Sequence, residues 1–282
     1  MWFVKNRGLA LGIMLIGTSA AAFVVPKLAV TAIQSFGWRE MFPIVALLPL
    51  LVALPVGLLL FREPRPDERP AAVTTADGKV AGMTFGQAAK TKQFWLLWLS
   101  IVLIATAYGG AHIHMPVIVK DHGISAGQAA GIMGIVGMGI LIGRVGVGFL
   151  LDRFWGPLIA FPVLCLPAAA CYLLMGTSTE LGLITLAAFL LGFAAGAESD
   201  LIAFFAARYF GMAHFGRIYG MLYMPFGLFS AISPVLYGVV RDKTGSYDLI
   251  LMISSVLFVI GGGLLLFLGR YPNERQDAPL TE

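Results

Sequence analysis

One arginine and two carboxylates, Arg144, Glu198 and Asp200, stand inside long apolar stretches of this 282-residue chain. An ionised side chain at the centre of a membrane helix costs about 2.5–3.5 kcal/mol on insertion scales, so each needs a reason to be there. A guanidinium matches a carboxylate in bidentate geometry, which makes Arg144 a candidate group for holding an organic anion. The alternative is an arginine that snorkels toward the membrane surface beside Asp152 and Arg153. Glu198 and Asp200 are spaced i, i+2, about 200° apart on a helix, so they cannot form an acid–base dyad on one face. Gly192, Gly196, Ser199 and Ala203 make a small-residue stripe that borders Asp200, whereas Glu198 is flanked by Leu201, Ile202 and Phe205. Asp200 and Arg144 lie at comparable depth in their segments, so one carboxylate is expected to neutralise Arg144 when no ligand is present. That carboxylate would take up a proton when a substrate anion replaces it; the alternative is a structural polar contact between helices. His112 and His114, in YGGAHIHMPVIV, titrate near neutral pH and are suited to relaying protons or lining a polar rim. Their i, i+2 spacing also divides them between two faces, and a metal pair would need i, i+4, so no metal site is expected. Tyr108 and Tyr223 are further cavity candidates, with packing as the alternative for each.

The elements that hold these residues are membrane helices. The chain is 59% hydrophobic and 12% charged, against about 25% charged in a soluble domain. Runs of about 20 apolar residues suffice to span a bilayer. Eight are expected, at roughly 8–34, 39–61, 93–118, 125–151, 157–176, 182–208, 217–240 and 247–269, giving an all-α polytopic membrane protein. The N-terminal MWFVKNRGLALGIMLIGTSAAAF imitates a secretory signal, but its apolar run continues to Ile33, longer than a signal core. The net charge of +4 is read as a topology signal, with no nucleic-acid partner. Lys5, Arg7, six basic residues of 62–92, Arg153, Arg208, Arg217, Arg270 and Arg275 fall on one side; Arg39, Lys120, Arg241 and Lys243 fall on the other. The excess predicts both termini in the cytoplasm of a cell whose inner membrane holds the chain. Lys27, within the first span, is expected to snorkel outward. The segment REPRPDERPAAVTTADGKVAG reads as a flexible linker, and TFGQAAKTKQFW as an amphipathic end lying at the inner surface. Gly127, Gly131, Gly139 and Gly143 have small-xxx-small spacing, the mark of close helix packing. Phosphate loops, nucleophile motifs and zinc spacings are missing from the sequence, so neither an enzyme nor a cofactor is expected.

Spans one and two repeat spans seven and eight. Trp2-Phe3, Arg7-Gly8 and Leu11-Gly12 open the first; Tyr209-Phe210, Arg217 and Tyr219-Gly220 open the seventh. Both carry a proline (Pro26, Pro234) and end near a Gly-aromatic turn. Internal repeats are typical of secondary transporters.

Several motifs are similar to those of the major facilitator superfamily, and within it to the monocarboxylate and oxalate/formate branch. WFVKNRGLALGI resembles the entry to that family's fifth helix, and FGWREMF the turn after it. TKQFWLLWLS resembles the start of the seventh, and GRVGVGFLLDRFWG the glycine-rich Asp-Arg motif after the eighth. ARYFGMAHFGRIYGMLY and YGVVRDKTGSYD resemble the entry to and exit from the eleventh. The resemblance implies a partial twelve-helix fold, with the equivalents of helices five to twelve. Residues 1–61 would be the last two helices of one half, 62–92 a linker, and 93–282 the six-helix second half with a short tail. Truncation or a natural short form would explain the difference. The resemblance also implies a substrate-binding role for Arg144 and a gating role for Asp152, with Arg153 and Arg217 beside it. The predicted partner of Asp152 is the start of span one, near Gly8. Some family members place an aspartate four residues before the arginine, where this chain has Ile140. Oxalate-type members carry a lysine near the position of Phe226, and its absence points to a monocarboxylate. The expected function is secondary transport of a small organic anion, proton-linked or antiport, in the lipid bilayer. The alternative is a transport-incompetent fragment or an accessory membrane subunit.

Overall fold

The computed structural model describes residues 17, 21, 25, 28–29, 31–60, 62, 81–176 and 179–272. Most of the expected first span, with Lys27 and the neighbourhood of Gly8, lies outside them, as do most of the linker and residues 273–282. Each of the other seven spans is a helix long and apolar enough to cross a membrane.

After a helical stretch at 31–36, α1 (Trp38–Leu48) runs through a π-helical turn, Pro49–Ala53, into α2 (Leu54–Leu60). Its apolar side chains, Leu58 and Leu59 among them, are exposed on the protein surface. A short helix, α3 (Phe85–Ala88), is fixed by a capping box between Thr84 and Gln87. The segment before it is docked: Met83 N–H donates to Phe210 O (2.8 Å) and Met212 N–H to Ala81 O (3.1 Å). Within the expected amphipathic end, Ala88 and Phe94 are buried.

Six long helices follow: α4 (Lys92–Asp121), α5 (Ala126–Leu151), α6 (Gly156–Leu173), α7 (Leu181–Phe210), α8 (Phe215–Thr244) and α9 (Asp248–Leu265). The 30-residue α4, α7 and α8 are about 45 Å long, so their ends pass beyond a ~30 Å hydrocarbon core. Local chemistry sets the boundaries. Thr91 and Ser125 cap α4 and α5, and Pro157 sits in the first turn of α6 where no N–H is needed. Glycines with positive φ, Gly211 (76°) and Gly245 (78°), stop α7 and α8.

Two helix contacts decide the bundle. The first joins α5 and α7, which run parallel. A Cβ on Gly143 would sit 2.0 Å from Phe193 O, one on Gly192 2.2 Å from Val136 O, and one on Gly196 2.2 Å from Ile140 O. The backbones meet only because these positions carry no side chain. The expected stripe is therefore half right. Gly139 and Gly143 pack, whereas Gly127 and Gly131 face open space. Gly143→Ala is expected to lower the unfolding midpoint by several degrees, an overpacking cost of about 1–3 kcal/mol. Gly131→Ala is expected to change it little; thermal unfolding of both in detergent makes the comparison.

The second contact joins α4 and α8. Pro234 has no N–H to offer the Ser230 carbonyl, and that carbonyl faces Gly109, where a Cβ would lie 2.5 Å away. Ser233 inserts its hydroxyl into the α4 ladder, accepting from Gly110 N–H (2.7 Å) and donating to Thr106 O. Tyr237 bonds Ala107 O (3.2 Å) and Ser254 Oγ (2.6 Å), which ties α4, α8 and α9 together. At the far ends, Arg241 forks onto Asp121 at 2.8 and 3.1 Å.

Candidate functional site

The α5–α7 register places the charged residues. Positions 136 and 192, and 140 and 196, face each other at backbone contact distance. One turn further along both helices, the same register brings Arg144 to Asp200. Arg144 Nε lies 3.6 Å from Asp200 Oδ2, with side-chain exposures of 11% and 16%. Arg144 Nε–H donates to Gly196 O (3.2 Å), and Ser199 Oγ donates to Asp200 Oδ1 (3.2 Å). Gly196 thus has two tasks: its missing Cβ lets α5 approach, and its carbonyl orients the guanidinium. At 3.6 Å the ion pair is longer than a charge-assisted hydrogen bond of about 2.7–2.9 Å. The carboxylate is held near the guanidinium without the tightest available bond to Nε. A competing anion could replace it there.

Glu198 points elsewhere. It is 7% exposed, and its Oε1 has no hydrogen-bond partner among the described residues. It lines a cavity of about 20 Å³, room for one water, with Ser100, Ile104, Leu201, Ile202 and Phe205. The i, i+2 spacing separates the two carboxylates as expected. Asp200 belongs to Arg144, and Glu198 to the bundle interior.

The remaining candidates fall into three places. Tyr108 lies within electrostatic reach of Glu198, and its hydroxyl meets His112 Nδ1 at 3.2 Å with the rings stacked. The His112 side is exposed. His114 is on the other face of α4, where it joins α8 to the next loop. Its Nε2–H donates to Pro234 O (3.0 Å), and Nδ1 accepts from Tyr247 OH (2.8 Å). His114 is thereby built into a helix contact, and the structure does not bring it to Arg144. At the opposite end of the bundle, Asp152 closes α5, Arg153 lies over the Phe149 ring (3.9 Å), and Arg217 lies over Phe85 (5.4 Å).

Tyr223 belongs to an aromatic row on α8. Phe215, Tyr219, Tyr223 and Phe226 follow one another at centroid distances of 5.4, 5.4 and 5.0 Å. Tyr219, which sequence reasoning passed over, is within electrostatic reach of Asp200. Its i, i+4 spacing from Phe215 and Tyr223 was the available signal. Arg144, Asp200, Ser199 and Tyr219 thus form the candidate site, drawn from α5, α7 and α8. The arrangement is a guanidinium whose resident counter-ion is a carboxylate, chemistry suited to holding an anion.

Known membrane transporters align with most of this chain. Monocarboxylate transporter 13 of Bos taurus is 26% identical over 281 residues, covering 96% of this chain and 62% of its own length. Monocarboxylate transporter 11 of Homo sapiens is 24% identical, covering 95% of this chain and 58% of its own length. The chain therefore spans about three-fifths of the curated relatives it matches. The fold is shared with the Escherichia coli fucose:proton symporter FucP, at a TM-score of 0.55 and 17% identity over 86% of this chain and 56% of that one. The model of the Major Facilitator Superfamily matches residues 1–234, and the chain belongs to that family of membrane transporters.

Proposed function

We propose that this chain moves a small organic anion of the monocarboxylate type across the cell's inner membrane, coupled to a proton or a counter-anion. The observation that carries the reading is the Arg144–Asp200 pair at 3.6 Å, shielded between packed helices. A substrate carboxylate replaces Asp200 on the guanidinium. Freed from its partner in an apolar setting, Asp200 binds a proton, so anion and proton are taken up together. Tyr219 and Tyr223 supply the wall against which the substrate's apolar part rests. Tyr108 and His112 form a second polar row that leads from Glu198 to an exposed end. Alternating access would rock this six-helix unit, 93–282, about the site. Asp152, with Arg153 and Arg217, latches the inward end, and both termini face the cytoplasm. The names of the relatives support the substrate class, and the glycine-built α5–α7 register supports the site.

The direct test is a binding and uptake screen of small carboxylates, with and without a pH gradient, on protein reconstituted in liposomes. Formate, acetate, lactate and pyruvate are compared with oxalate and with a neutral amide of matching size. Protection from thermal unfolding by monocarboxylates, and none by the amide, is the expected outcome. Equal protection by the amide, or no response to any anion, removes the proposal. The same assay separates the two carboxylates. Glu198→Gln keeps the size of the side chain in its cavity and cannot titrate. It is expected to unfold at an equal or higher temperature and to keep its pH response. A lost pH response would make Glu198 the proton carrier instead of Asp200.

A further inference from the structure

At the end of the bundle that carries Asp152, four helix termini enclose a cleft of about 560 Å³. Its walls include the ends of α5 and α7, the start of α6 and the turn after α9. Three arginines line it, Arg153, Arg208 and Arg270, with Asp152 as the one acidic residue. Two of the guanidiniums lie against rings. Arg153 is over Phe149 at 3.9 Å, and Arg208 is over Phe204 and Tyr271 at 5.6 and 5.4 Å. None of the three arginines forms an ion pair with a described residue. Among the described residues the cleft therefore carries a surplus of two positive charges.

A second observation points to a ligand. Trp155 lines the same cleft, and its indole N–H is buried without an acceptor among the described residues. Indole nitrogen is a donor only, and a buried donor left unpaired costs free energy that an acceptor would recover. Three arginines and the Trp155 side chain line one space, and the polar groups these side chains carry are all donors. The matching ligand is a multiply accepting anion.

Position identifies its source. The cleft lies at the helix ends, where the chain leaves the hydrocarbon. Phe154 and Leu158 beside it are more than half exposed, at 54% and 56%. An anionic group that reaches this place with apolar chains attached would meet arginine above and exposed aromatic and aliphatic side chains below. We propose that the Arg153–Arg208–Arg270 cleft binds the phosphate headgroup of an anionic phospholipid, with Trp155 donating its indole N–H to a phosphate oxygen. Bound there, the lipid bridges the ends of α5, α6, α7 and α9 and stabilises the bundle at its inner rim. This role is separate from anion transport at Arg144 and stands or falls without it.

The test is thermal unfolding of the delipidated full chain in neutral detergent, titrated with phosphatidylglycerol, phosphatidylcholine or soluble glycerol 3-phosphate. Phosphatidylglycerol is expected to raise the midpoint saturably, and the other two to leave it unchanged. Arg208→Gln with Arg270→Gln, both at exposed positions, is expected to weaken the phosphatidylglycerol response about tenfold or more, the loss of hydrogen bonds to a charged group. Trp155→Phe keeps the ring and deletes the N–H, so it tests the contact even if the arginine variants fold poorly; a several-fold weakening is expected. Arg208→Lys, which keeps the charge and loses the fork, should fall between. Equal protection by phosphatidylcholine overturns the proposal, as does an unchanged response in Trp155→Phe and the arginine variants. Protection by glycerol 3-phosphate as strong as by the lipid would assign the cleft to a soluble phosphate and also overturn it.

Discussion

Arg144→Ala is expected to abolish anion-dependent protection and uptake while leaving the helices folded. A hydrogen bond to a charged group contributes about 1.5–3 kcal/mol. A bidentate contact supplies two, so the apparent affinity should fall by about a hundredfold or more. The fold survives because the contact that joins α5 to α7 is made by Gly139, Gly143, Gly192 and Gly196, and the arginine only emerges beside it. Removing the guanidinium leaves Asp200 without its partner, and protonation of that carboxylate limits the cost to the bundle. Arg144→Lys tests geometry against charge. An ammonium retains the attraction and loses the planar fork, so a partial loss of about tenfold is expected. Wild-type uptake in Arg144→Ala would remove this residue from the substrate site. Equal affinities for wild type and Arg144→Lys would show that charge alone is recognised.

The second large effect concerns pH. If Asp200 gains a proton as the anion binds, lowering the pH must strengthen anion binding, by up to about tenfold per pH unit for one linked proton. The sign follows from linkage: the bound state holds more protons than the free state, so protons favour it. Asp200→Asn cannot titrate, and its anion affinity should be flat across the range where the wild type varies. It also no longer competes for Arg144, so at the high end of the range it should bind the anion more tightly than wild type. Both readouts come from equilibrium binding at a series of pH values. Proton gradients should drive uptake in wild type and have no effect in Asp200→Asn. A variant that keeps the full pH slope would mean that the proton is carried elsewhere, with Glu198 and the Tyr108–His112 row as the next groups to test.

Ser199 and Tyr219 sharpen the reading. Ser199 holds Asp200 Oδ1 at 3.2 Å, which steadies the carboxylate on the Arg144 side of α7. Tyr219 belongs to the aromatic row on α8, so the site has one charged wall and one aromatic wall. Such a division suits a ligand with an ionised end and an apolar remainder. The shared fold with a sugar symporter concerns the scaffold, and the site is argued from its own residues.

Much of this was legible in the sequence, because membrane helices are specified locally. Twenty apolar residues in a row must satisfy their own backbone in lipid, so the positions of seven spans could be read from hydropathy and punctuation alone. The separation of Glu198 from Asp200, and of His112 from His114, followed from helical periodicity for the same reason. What periodicity leaves open is rotation and neighbour. The small-residue stripe of α7 borders Asp200, but nothing within α7 by itself names α5 as the neighbour that stripe meets. That was decided by the glycine contacts at 136/192 and 140/196, which fix the rotation and register of the two helices at once and bring 144 to 200. His114 was legible as a polar residue near a helix end, but its partners, Pro234 and Tyr247, lie more than a hundred positions away. The same holds for the arginine cleft, whose residues come from four helix termini. The sequence by itself thus determined the spans, their polarity and which charged residues had to be explained. Tertiary structure decided which of those charges meet, because a helix fixes its own periodicity, while its rotation against a neighbour depends on packing that neither segment contains alone.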